Sequence, residues 1–160
     1  MGFTREFKEV QVHGNTKLQV IHTNDLHKAA TTIEQYERHL QFKRHKIVGV
    51  DVKYTNDHGE DQKPSLVQLS VGKDHLVLLF QPSAPTRTAP SSTTSSPTPE
   101  HQRWARMPLS MRHVEYATKD AYAAYEIWIR LTIIHVGLRR AKLDKEQTRK
   151  RARSCGDYDY

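Results

Sequence analysis

Tyr116-Ala117-Thr118-Lys119-Asp120-Ala121-Tyr122 is the stretch on which the reading of this chain turns. A tyrosine and an aspartate four positions apart stand on one face of a helix, one turn from each other. Ahead of them lies Ile47-Val48-Gly49-Val50-Asp51-Val52, an apolar run broken by a single acid. Such a run fits a central strand covered on both faces. An acid on a helix facing an acid on a strand is a way to assemble a divalent-metal site for phosphodiester chemistry.

Upstream, Arg5 to Val12 alternates, His13-Gly14-Asn15 supplies a turn, and Lys17 to Thr23 follows, which predicts an antiparallel hairpin. Asn24 or Thr23 is the expected cap of the next helix, with Asp25 in its first turn. Leu26, Ala29, Ala30, Ile33, Tyr36, Glu37 and Leu40 have the spacing of an amphipathic helix of about 16 residues. After the Asp51 strand, a polar loop from Asn56 to Pro64 leads to two more expected strands, Ser65 to Val71 and His75 to Phe80. The turn Gly72-Lys73-Asp74 joins them into a meander.

From Pro82 to Pro99, fifteen of eighteen residues are Pro, Ser or Thr. Such a composition cannot bury enough surface to offset its ordering entropy, so disorder is expected over 82–101. Order resumes near Arg103-Trp104. Ser110 can cap a helix with Val114, Ala117, Ala121, Ala124, Trp128 and Leu131 as its apolar stripe. The expected organisation is therefore an α/β part at 1–81, the Pro/Ser/Thr segment at 82–101, a helical part of the same domain at 102–137, and a solvated basic tail at 138–160.

With 160 residues, 36% of them hydrophobic, the chain has room for one modest core. No apolar run approaches the roughly 18 residues of a membrane span, and residues 1–10 lack the apolar core of a secretory signal. The single cysteine, Cys155, excludes an internal disulfide framework and suits a reducing compartment, nucleus or cytoplasm. A net charge of +7 points to phosphate-bearing partners, DNA or RNA. Arg139, Arg140, Lys142, Arg149, Lys150, Arg151 and Arg153 are the candidate contacts. The ten histidines show no spacing for a zinc site.

Val48-Gly49-Val50-Asp51-Val52, Leu66-Val67-Gln68-Leu69-Ser70 and Leu79-Phe80-Gln81, followed by Arg103-Trp104, Pro108-Leu109-Ser110 and the Tyr116 to Tyr122 block, resemble a DEDDy-type 3'-5' exonuclease domain. That group includes the Werner-syndrome exonuclease domain and its plant homologues. The likeness covers residues 44 to 81 and 103 to 133. It implies a ribonuclease-H-like mixed sheet of about five strands with flanking helices. It also implies two Mg²⁺ or Mn²⁺ ions held by four carboxylates, with a tyrosine orienting the attacking water. By this resemblance Asp51 and Asp120 are metal ligands, and Tyr116, Asp120 and Asp51 are catalytic.

The chain departs from that pattern twice. Lys53 stands where the second acid belongs, and the Pro/Ser/Thr segment stands where the block with the third should be. A unit charge 4 Å from another is worth about 4 kcal/mol at an effective dielectric near 20. An ammonium in place of a carboxylate turns that attraction into repulsion. Weak or absent hydrolysis is therefore expected, with Lys53 pairing instead to Asp51 or Asp120. The alternative is a non-catalytic module that binds nucleic acid or protein. Loss of the middle block also predicts an uncovered apolar sheet surface that a protein partner or a homologue could cover.

Overall fold

A computed structural model describes residues 2–54, 64–72, 76–82, 104 and 107–154. The expected loop at 56–63, the turn at Lys73-Asp74, nearly all of the Pro/Ser/Thr segment and Cys155 lie outside the described residues. The chain divides into two compact units, Met1–Glu126 and Ile127–Tyr160.

The first unit is α/β, built on a five-stranded mixed sheet. Its elements are β1 (Thr4–Gln11), β2 (Lys17–Thr23), α1 (Leu26–Gln41), β3 (Gly49–Tyr54), β4 (Pro64–Ser70) and β5 (Val77–Phe80), followed by the start of α2 (Met111–Ser154). The strand order is β1-β2-β5-β4-β3, with β2 and β5 parallel and the other neighbours antiparallel. The expected hairpin is β1–β2. Gly14 takes φ +54° at its turn, a left-handed conformation that costs glycine little. The expected meander is β3-β4-β5.

Each face of the sheet has its own core. On one, Val10, Leu18, Val20, Leu66, Val77 and Leu79 pack with Trp104, Leu109, Val114, Ala117, Ala121 and Tyr122. On the other, Ile21, Val71 and Leu78 meet Ala29 and Tyr36 of α1. The period-2 alternation of β5 sends Val77 and Leu79 one way and Leu78 the other. A leucine as deeply buried as Leu66 or Leu79 contributes about 2 kcal/mol.

Three local expectations are corrected. Asp25, not Asn24 or Thr23, caps α1, its carboxylate accepting from His27 N at 2.8 Å and Lys28 N at 3.4 Å. Asn24 and Thr23 are engaged with Phe3, just ahead of β1, instead: Asn24 Oδ1 accepts from Phe3 N at 2.6 Å, and Thr23 Oγ1 donates to Phe3 O at 2.7 Å. The buried arc of α1 also differs, running through Ala29, Thr32 and Tyr36 and leaving Leu26 and Ile33 exposed. Tyr36 anchors that arc, its hydroxyl meeting Leu69 O and Leu76 O, and burial pushes its ionisation well above the ordinary tyrosine value.

The third correction concerns β3. It ends the strand order and is not a central strand covered on both faces. Gly49, Asp51 and Lys53 face α2, whereas Val50 on the opposite face is 53% exposed and Tyr54 is exposed as well. In register with Val50 and Val52 stand Leu69 and Val67 of β4, both only partly buried. Leu69 packs against the cluster that α1 forms with β2 and β5, whereas Val50, one strand further out, stays exposed.

Ser110 caps α2 as expected, its Oγ accepting from His113 N at 3.4 Å. Val114, Ala117 and Ala121 are fully buried. The stripe does not continue as expected, because Trp128 and Leu131 are each 55% exposed. Those two residues belong to the second unit, in which α2 carries on through Gly137 to Ser154 as a bare helix.

A candidate site around Lys53

Strand β3 and the first turns of α2 supply the site, and Gly49 makes their approach possible. A β-carbon on Gly49 would stand 2.4 Å from Ala121 O and 2.6 Å from Tyr125 N, so only glycine lets the helix backbone come so near. Two residues further along the same face come Asp51 and then Lys53, and across from them, on α2, Asp120.

Lys53 Nζ lies 2.8 Å from Asp51 Oδ2 and 2.6 Å from Asp120 Oδ2. The two acids singled out in the sequence therefore converge, and Lys53 stands between them. Asp51 Oδ2 also accepts from Gln68 Nε2 at 3.0 Å, Gln68 being its direct cross-strand partner. The ammonium further lies 5.6 Å from the Trp104 ring centre and 5.2 Å from that of Tyr116, within cation–π range. The two rings lean on each other at 5.9 Å. Lys53 is 20% exposed and each aspartate 31%.

Burial alone would depress the Lys53 pKa. Its hydrogen bonds to Asp120 and Asp51, and their charges, more than offset that and hold it above the ordinary lysine value. The ammonium is thus fixed in its charged form, with one positive charge set against two carboxylates.

Two divalent ions do not fit this set. The cation position between Asp51 and Asp120 is filled by a tethered ammonium, which donates hydrogen bonds and offers no lone pair to a metal. Among the described residues no group of three or more His, Cys, Asp or Glu is arranged to hold a metal ion. Tyr116, half-exposed, presents its ring to Lys53 and Trp104.

Behind the site, Gln81 bridges the sheet to Trp104. Its Nε2 donates to Trp104 O at 2.8 Å, and its Oε1 pairs with His22 Nε2 at 2.7 Å, so that nitrogen carries the proton of a neutral ring. His22 is fully buried with Nδ1 unpartnered, and burial holds its pKa below the usual histidine value, the Gln81 bond opposing only in part. Sequence reasoning did not single out Gln68, Gln81 or His22. The available signal was a polar side chain within an apolar strand run, as at Gln68 and His22.

Arg139, Arg140, Lys142, Arg149, Lys150 and Arg151 lie exposed along α2 in the second unit. Arg153 falls within the helix, its side chain outside the described residues. No described helix is long and apolar enough to cross a membrane. Compared with known proteins, the chain matches no family model, no curated protein and no solved structure.

Proposed function

We propose that this chain is a relative of the DEDDy-type 3'-5' exonucleases that binds DNA or RNA and has lost efficient hydrolysis. One observation carries the reading: Asp51 and Asp120 converge as a nuclease site requires, and the Lys53 ammonium takes the place of the cation between them. Support for binding comes from Arg139, Arg140, Lys142, Arg149, Lys150 and Arg151, which all lie exposed on α2. If all seven basic candidates contact phosphate, log affinity falls against log salt with a slope of about −6.

The test incubates the full chain with 3'-labelled DNA and RNA in Mg²⁺ or Mn²⁺. Salt-sensitive retention without shortening is expected. Metal-dependent shortening that disappears in Asp51→Ala and Asp120→Ala would overturn the loss of hydrolysis, and absence of retention at low salt would overturn binding. Lys53→Glu is expected to restore little activity, since the third acid has no counterpart among the described residues.

A further inference from the structure

His22 is fully buried on the α2 side of the sheet, bonded at one ring nitrogen and not at the other. Its Nε2 donates to Gln81 Oε1 at 2.7 Å, and Gln81 Nε2 donates onward to Trp104 O at 2.8 Å. Three buried residues thus run from β2, past the end of β5, to the indole 5.6 Å from the Lys53 ammonium. Nδ1 has no partner among the described residues, and the Phe3 ring stands edge-on to the imidazole, centroids 4.8 Å apart. A neutral ring leaves only a lone pair idle there. A protonated ring would leave an N–H and a charge without an acceptor, which costs far more.

The surroundings offer that charge nothing. Arg5 of β1 is its cross-strand neighbour, and like charge opposes protonation. Leu79 stands beside it on β5, and α2 covers this face with Val114, Ala117 and Ala121. Asp51 lies in the same cross-strand row but three strands over, about 14 Å away, where Lys53 already pairs with it. Burial, helped by Arg5 and opposed by the Gln81 bond, holds the His22 pKa below its ordinary 6.5.

We propose that protonation of His22 releases Trp104, making the His22–Gln81–Trp104 tie an acid-operated switch on the Lys53 site. The proton gained from solvent is hydrated only when the ring turns out past Phe3, which is itself partly exposed. Gln81 Oε1 then loses its donor, and water entering behind the ring competes with Trp104 O for the Gln81 Nε2–H. The indole, no longer fixed through its backbone, leaves the ammonium and the Tyr116 ring. One proton operates the switch, so the released fraction grows about tenfold for each unit of acidification until the midpoint. The switch works whatever ligand the site takes.

Trp128→Phe leaves Trp104 as the single tryptophan, and the ring it replaces is exposed in the second unit. In this full-length variant, acid is expected to move the emission to longer wavelength with a midpoint below 6.5, while helical circular dichroism holds steady. His22→Gln, which keeps a donor for Gln81 and takes up no proton, is expected to retain the neutral emission and abolish the step. His113 is the other imidazole at the indole, edge-on at 5.1 Å, and His113→Gln is expected to leave the step in place. A step that survives His22→Gln, or vanishes with His113→Gln, overturns the assignment. Emission that never moves overturns the release, and so does helicity that falls with it. Should His22→Gln fail to fold, nuclear magnetic resonance of the parent decides. The His22 ring C–H and Trp104 indole N–H signals are expected to titrate with one midpoint, and separate midpoints overturn the coupling.

Discussion

Gly49 of β3 lies so close beneath Ala121 of α2 that a β-carbon added to it would stand 2.4 Å from the Ala121 carbonyl oxygen. The obstruction is backbone, which cannot swing aside as a side-chain tip can. This contact brings α2 down onto β3 and so sets Asp120 within reach of Lys53. Gly49→Ala is expected to cost about 2–3 kcal/mol, read as a lower urea midpoint. Gly137 has nothing within 4 Å of its would-be β-carbon. In a helix interior, Gly137→Ala should therefore add about 0.5–1 kcal/mol. Equal effects at the two glycines would refute the close approach.

Lys53→Met would leave Asp51 and Asp120 facing each other without their shared cation. At neutral pH the loss should be about 1–3 kcal/mol, below that of a fully buried pair because both carboxylates are partly exposed. Adding Mn²⁺ should raise the melting temperature of the variant and leave the parent unmoved, and an equal rise in both would contradict the blocked site. Because the Lys53 pKa is raised, its own contribution is fully present below the ordinary lysine value and fades only as pH climbs through the folded one.

His22 gives the fold an acid-sensitive point. Its folded pKa lies below the unfolded value of 6.5, chiefly through burial. Between those two values the unfolded chain binds more protons, so stability rises with pH there and falls as pH drops below about 6.5. One proton accounts for at most about 1.4 kcal/mol per pH unit. In His22→Asn, the difference in urea midpoint between mildly acidic and neutral buffer should shrink, and an unchanged difference would assign the sensitivity to another group.

Asp25 closes the first turn of α1 with two backbone N–H groups. Asp25→Ala should cost about 1 kcal/mol, and Asp25→Ser much less. Amide exchange should quicken at His27 and Lys28 in the alanine variant, and protection unchanged there would show that the cap carries no weight.

The hairpin and the start of α2 are legible because their signals are local: alternation from Arg5, the turn at Gly14, the cap at Ser110; the cap of α1 falls at Asp25 because Thr23 and Asn24 are taken up by Phe3. Asp51, Lys53 and Asp120 are legible as a group through the family resemblance. The sequence does not give β3 its place at the end of the sheet, since strand order depends on pairings between distant segments. The Gln68 bond to Asp51 hangs on cross-strand register, which a one-residue slip would abolish. The buried arc of α1 is set by where Tyr36 finds its carbonyl partners on the sheet, so the helical period alone misplaces Leu26 and Ile33.

Because Gln81 holds Trp104 by a direct hydrogen bond, the two ends of the connection at 82–103 are pinned beside each other. The bond therefore acts as a clasp: it moors Trp104, the ring beside Lys53, to the residue that follows β5 and so keeps the indole at its station in the site.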